Sequence, residues 1–178
     1  MLFNSGFGGA LGTISGLLRK TDVAVLDNRS HLSLRDGATL SRCRAEKFEH
    51  NDPASLDTSL GRHKGKRRLV VIEGIYSMDG DFGRSGRARS PSRNRMARPF
   101  SSTKRIPFWP AASTVAAPRR KFGVEDRVPL TYGTFSKAFG ALGGFVAGSR
   151  ETLQYLRFYA HPVCLFLCAC PPWSWPPF

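Results

Sequence analysis

The strongest constraint on this chain is a set of short apolar runs, each ending on a polar residue and separated by helix-like segments. Thr21–Asp27 reads TDVAVLD and Leu69–Glu73 reads LVVIE. Runs of this length, rich in β-branched residues, predict buried strands. RVPLTYGTF predicts a third strand entering a glycine-rich turn, and GGFVAGS a fourth. SGFGGALGTISGLL predicts a Gly-rich turn running into a helix, with no strand before it. SLRDGATLS predicts a helix and turn, and RETLQYLRFYA a helix beginning near Arg150. Strands alternating with helices imply an α/β layered fold around a mainly parallel sheet with flanking helices. Ligands of such sheets bind at the carboxyl ends of the strands, and the polar motifs of this chain sit there.

One segment breaks the pattern. Of the 27 Lys and Arg, eleven fall between Arg84 and Lys121, where there is no Asp or Glu. Outside that window sixteen basic residues face 13 acidic ones, so the window carries almost all of the +14 net charge. Residues 84–121 have no strand or helix period and are rich in Arg, Ser and Pro, which predicts a disordered basic loop. A loop of that length inside a compact domain argues against the assignment that requires it. Such a segment would bind nucleic acid weakly through phosphate contacts, but no nucleic-acid fold signature accompanies it, so no specific nucleic-acid partner is expected.

Three of the four cysteines (Cys164, Cys168 and Cys170) crowd into CLFLCAC without C-x-x-C spacing or a His-rich partner, which argues against a zinc site. The start, MLFNSGFGGALG, has no basic n-region. The apolar run near Val163–Ala169 is too short to span a bilayer. A cytoplasmic protein without a membrane span is expected.

Five motifs stand in order: SGF (Ser5–Phe7), DNRSHLSL (Asp27–Leu34), FEHNDPASL (Phe48–Leu56), EGIYSMDGD (Glu73–Asp81) and GTFSKAFGALGG (Gly133–Gly144). Together they resemble the α-oxoamine synthases, fold-type I transferases dependent on pyridoxal 5'-phosphate (PLP), a group that includes 8-amino-7-oxononanoate synthase and serine palmitoyltransferase. The resemblance covers Met1 to about Gly83 and about Phe122 to Pro162. It implies part of the PLP-binding large domain and decarboxylative condensation of an amino acid with an acyl-CoA or acyl-carrier thioester. It also implies a homodimer in intact relatives. Lys137 is the implied catalytic amine, forming a Schiff base with the cofactor, and burial would make it a better nucleophile and base. Thr134 is implied to bind the cofactor phosphate, Gly6 and Phe7 to approach the cofactor through their backbone, His31 to stack on its ring, and Ser77 to bond near its ring hydroxyl. His50, His63 and His161 read as structural or surface residues, and Glu73 as a buried, hydrogen-bonded acid at a strand end.

The departure from the family pattern lies in 84–121. The family places an acidic motif of the type D-E-A-H-S before its lysine, with the Asp on the pyridine nitrogen and the His on the ring oxygen. Here that stretch has neither acid nor histidine. Ser101–Pro107 can be back-translated so that a two-base shift reads Val-Asp-Glu-Ala-His-Ser, and the shifted codons of Phe108–Pro118 then yield a Gly-rich run of the kind that follows the motif. Residues 84–121 are therefore expected to be a frame-shifted translation, restored near Phe122, and the tail 163–178 is read as similarly aberrant. The expected organisation is a large-domain part over 1–83, the basic segment over 84–121, the lysine-bearing part over 122–162 and the tail. The parent activity is expected to be impaired. Two other readings are a non-catalytic partner subunit of a related synthase and a weak basic nucleic-acid binder acting through 84–121.

Overall fold

The computed structural model describes residues 1–83, 104–109, 130–137 and 139–160. Over 104–109 it describes the backbone. His161, the tail 163–178 with its three cysteines, and the rest of 84–121 lie outside the described residues.

The elements run β1 (Leu2–Phe3), α1 (Gly6–Leu17), β2 (Val23–Asp27), α2 (Leu32–Leu40), β3 (Arg44–Phe48), α3 (Pro53–Arg62), β4 (Arg68–Glu73), β5 (Lys104–Trp109), β6 (Leu130–Thr134), β7 (Gly144–Gly148) and α4 (Arg150–Tyr159). The strands form one sheet in the order β1-β7-β6-β5-β4-β2-β3. The pairs from β3 to β6 are parallel, and β7 runs antiparallel to both β6 and β1.

Alternation along β2 and β4 builds two cores, because successive side chains of a strand point to opposite faces. Ala24, Leu26, Leu69 and Val71 face one way, packing with Ile14 and Leu17 of α1, Leu34 and Ala38 of α2, and Leu156 of α4. Val23, Val25, Val70 and Ile72 face the other way, against Phe48 and the α3 residues Leu56 and Leu60. Burial on both faces explains why these strands read as unbroken apolar runs rather than alternating ones.

Each helix has a local start signal. Ser5 caps α1 by accepting the Gly8 N–H at 2.9 Å. Asp52 caps α3, with Pro53 in the first turn, and Ser149 caps α4. Helix α1 contains five glycines in twelve residues, and several sit where a side chain would collide. A Cβ on Gly9 would lie 2.9 Å from the Tyr132 ring, and one on Gly16 would lie 3.2 Å from the backbone of Tyr159 and Ala160. These glycines let α1 sit close to the sheet and to α4.

The parallel α/β sheet predicted from the sequence is present, with four differences. A two-residue strand, β1, does precede α1. The edge strand β3 was not predicted, because its sequence RAEKF is charged and largely exposed. Helix α3 was not predicted either, although Asp52-Pro53 is a helix-start signal. The expectation of no strand in 84–121 is corrected for 104–109, where β5 lies between β4 and β6. KRIPFW carries Ile, Phe and Trp, which favour strands. It also carries Pro107, in register with Ile72 of β4. Proline has no N–H to donate and is otherwise confined to sheet edges and bulges, so β5 is an ill-suited sequence for a central position.

Candidate functional site

The site lies at the carboxyl ends of β2, β4 and β6 and at the N-terminus of α1. On β6, Tyr132 and Thr134 are buried. The Tyr132 hydroxyl donates to the Gly6 carbonyl, tying the first turn of α1 to the sheet. A Cβ on Gly6 would overlap the Thr134 side chain, so only glycine fits there. The Thr134 Oγ1 lies 2.9 Å from Ser136 Oγ and accepts the Ser136 N–H at 3.3 Å. Phe135 N–H donates to Gly143 at 3.0 Å, closing the loop that carries Lys137. Gly8 and Gly9 N–H groups are taken by Ser5, whereas those of Gly6 and Phe7, the first two residues of the helix, have no partner within it. An α-helix N-terminus of this kind attracts an anion, and Thr134 adds a hydroxyl beside it.

His31 caps α2. Its backbone N–H donates to Glu73 Oε1 at 2.5 Å, and its Nδ1 lies 2.8 Å from Ser33 Oγ. Partial desolvation lowers the His31 pKa, and the Lys137 ammonium lowers it further. Glu73 is 2% exposed. Burial raises its pKa to about 7 against the opposing His31 N–H. Glu73 is thus the buried, hydrogen-bonded strand-end acid that its position predicts.

Gly6 and Thr134 are brought into contact, Phe7 follows Gly6 with its ring half exposed, and His31 is within electrostatic reach of Lys137. Ser77 is exposed in the turn after β4. Lys137 is also exposed, which corrects the expectation of a buried amine. It lies on a bend where the chain has left β6, beside exposed Ser136 and Phe139.

Sequence reasoning missed a second cluster at this end of the sheet. His50 Nδ1 lies 2.9 Å from Asp27 Oδ1 and His50 Nε2 lies 3.0 Å from Asp81 Oδ2. Asn51 donates its backbone N–H to Asp27 at 3.1 Å and its side-chain amide to Asp81. Desolvation of His50 is outweighed by Asp27 and then Asp81, and its pKa is raised. Asp79 pairs with Arg29. His50, Asp27 and Asp81 come from three of the motifs quoted above, but only the folded chain brings them together.

The model of the family described as aminotransferase class I and II matches residues 1–83 and 106–173. The chain belongs to that family. This is a PLP-dependent family, and the sheet is part of the large domain of a fold-type I PLP-dependent transferase. The match restarts sixteen residues before Phe122, the point at which the sequence motifs resume. Among similar proteins, the serine palmitoyltransferase of Sphingobacterium spiritivorum is 34% identical over 98% of this chain and 43% of its own length. The 8-amino-7-oxononanoate synthase of Thermoanaerobacter pseudethanolicus is 33% identical over 97% of this chain and 44% of its own length. The solved serine palmitoyltransferase of Sphingomonas wittichii has a TM-score of 0.84 and 30% identity, over 98% of this chain and 43% of that one. A serine palmitoyltransferase solved with its PLP internal aldimine has a TM-score of 0.81 and 28% identity, over 98% of this chain and 44% of that one. The chain therefore spans less than half the length of these relatives. No helix among the described residues is long and apolar enough to cross a membrane.

Proposed function

We propose that this chain carries the cofactor-binding core of a PLP-dependent C-acyltransferase of the α-oxoamine synthase kind. The parent reaction joins an amino acid to an acyl-CoA or acyl-carrier thioester with loss of carbon dioxide. The observation that carries the reading is the close fit of Gly6, at the N-terminus of α1, against Thr134, three residues before Lys137. A cradle that a Cβ would fill, next to a hydroxyl and a helix N-terminus, suits a phosphate. A homodimer and a cytoplasmic setting belong to the same proposal, by kinship with the synthases named above.

In this reading the Gly6 and Phe7 amides and the Thr134 hydroxyl hold the phosphate. Lys137 would hold the cofactor at its aldehyde group, and its Nζ would take up and return a proton. His31 would lie against the cofactor ring. Ser77 hydrogen-bonds near the ring hydroxyl. When bound, the cofactor supplies an electron sink.

One requirement is unmet. The acid that would keep the ring nitrogen protonated is missing from 84–121, which holds no Asp or Glu. Asp27 and Glu73, the buried acids at this end of the sheet, accept hydrogen bonds from His50 and His31. We therefore propose that the chain retains phosphate and aldehyde recognition but is impaired in turnover. The test is borohydride reduction of the purified chain with PLP, followed by peptide mass spectrometry, alongside an assay with amino acid and acyl-CoA pairs. Label at Lys137 with negligible turnover is expected. Label elsewhere would refute the cofactor reading, and normal turnover would refute the impairment.

A further inference from the structure

Ser77 sits on a tight turn that is closed by its own backbone. Gly80 N–H donates to Tyr76 at 2.8 Å, Tyr76 N–H to Asp81 at 2.9 Å and Gly83 N–H to Gly74 at 3.0 Å. Gly80, at φ +68°, supplies the left-handed residue that the turn requires. Closure alone does not fix where the turn lies on the sheet. That needs tethers to other elements: Arg29 pairs with Asp79, the Asn51 side-chain amide donates to Asp81 and to the Phe82 carbonyl at 3.1 Å, and His50 reaches Asp81.

The ring stands between two carboxylates. Asp27, at the end of β2 with its side chain fully buried, faces Nδ1 at 2.9 Å, and it also accepts the Arg29 and Asn51 N–H groups. Asp81, on the turn and 39% exposed, faces Nε2 at 3.0 Å. Tyr76 meets the ring edge-on at a centroid distance of 4.5 Å. Among the described residues, Glu73 of β4 and Asp79 of the turn, itself paired with Arg29, are further charged groups near the ring.

A neutral imidazole has one N–H, while two carboxylates need two donors. Only the doubly protonated ring can donate to both. When it loses a proton, the bare nitrogen faces a carboxylate; at Nε2 the Asn51 amide, 3.3 Å away, is then the donor within reach. Asp27 keeps two backbone donors and stays buried. Asp81 is the more exposed partner and keeps the Asn51 amide, so the Asp81 side is the one that yields.

We propose that His50 is a positioning residue that holds the Ser77 turn against the sheet through Asp81, and does so only while both ring nitrogens are protonated. The link to catalysis rests on reading Ser77 as a cofactor contact; the hold on the turn does not. As pH rises through the His50 titration, Ser77 loses its fixed place and cofactor affinity falls.

The experiment is backbone amide exchange by NMR on the full chain without cofactor, as protection factors over a pH range spanning the His50 titration, with ring protonation followed in parallel. Protection at Tyr76 and Gly80 is expected to fall about 10-fold or more as the ring deprotonates, the equivalent of one charge-assisted hydrogen bond. The β2 amides are expected to show no such step. His50→Gln should show low turn protection at every pH and no step. Asp81→Asn, altered at the exposed end of the contact and so less of a risk to folding, should do the same. A flat profile in the unaltered chain, or a step that persists in either variant, overturns the proposal. PLP affinity is measured on the same samples. If protection steps as expected while none of the proteins binds PLP, the positioning role stands and the cofactor reading of Ser77 fails.

Discussion

Gly6 and Thr134 meet so closely that the side chain of one occupies the space where a Cβ of the other would stand. The contact joins the first residue of α1 to the last residue of β6, elements far apart in sequence. It makes the fit of the helix end against β6 depend on a single hydrogen atom in place of a methyl group.

Gly6→Ala is therefore expected to push α1 away from β6. Overpacking of this kind costs roughly 1–3 kcal/mol, and PLP affinity should fall at least tenfold. Pyridoxal, which lacks the phosphate, should bind the variant and the parent about equally. Fluorescence titration with both compounds checks this, and equal losses for the two would remove the phosphate from the argument.

The Tyr132 hydroxyl donates to the Gly6 carbonyl from inside the core. Tyr132→Phe keeps the ring that packs against Gly9 and removes only the donor. A loss of about 1 kcal/mol is expected, the usual net worth of one such bond, read as a lower urea midpoint with an unchanged m-value. A variant as stable as the parent would mean that this bond adds nothing to the anchoring of the helix.

Glu73 carries a pH dependence of definite sign. Burial raises its folded pKa to about 7 from an ordinary value of 4.5. The folded state therefore binds the proton more tightly than the unfolded state. Its contribution to stability is fully present below about 4.5 and is lost as pH rises to about 7, on the order of 3 kcal/mol. Glu73→Gln keeps an acceptor for the His31 N–H and cannot ionise. Its stability is expected to lose this slope and to exceed that of the parent above neutrality. Chemical denaturation at a series of pH values checks it, and parallel curves for the two proteins would contradict the assignment.

Pro107 of β5 lies opposite Ile72 in the middle of the sheet, where a strand needs an N–H to donate. Back-translation puts the family's acidic motif in another frame of the same stretch. Sequencing the genome and transcript across codons 80–125 is expected to reveal a miscounted base or two. If the bases stand as written, the chain is a broken relative and the acidic motif is absent from its gene product.

The buried strands were legible because β2 and β4 are apolar on both faces, and α4 because RETLQYLRFYA reads as a helix from about Arg150. Strand β3 was not, since Arg44, Ala45 and Lys47 lie on an exposed sheet edge and carry no periodic signal. The site was half legible. Lys137, Thr134, Gly6 and His31 stood out through their motifs, but no local pattern says that Gly6 would touch Thr134. The His50 cluster was hidden for the same reason: Asp27, His50 and Asp81 each look like an ordinary polar loop residue until the strands align.

The glycines of α1 also bear on the order of assembly. Each costs a helix up to about 1 kcal/mol relative to alanine, so five in twelve residues leave this segment little tendency to coil by itself. Its helical form must be imposed from outside, by Tyr132 and Thr134 on β6 and by the end of α4. The proposed phosphate cradle can therefore exist only after the C-terminal strands have docked. A bound anion would thus be a late reporter of folding, its signal appearing when residues 130–160 have joined the first eighty and not before.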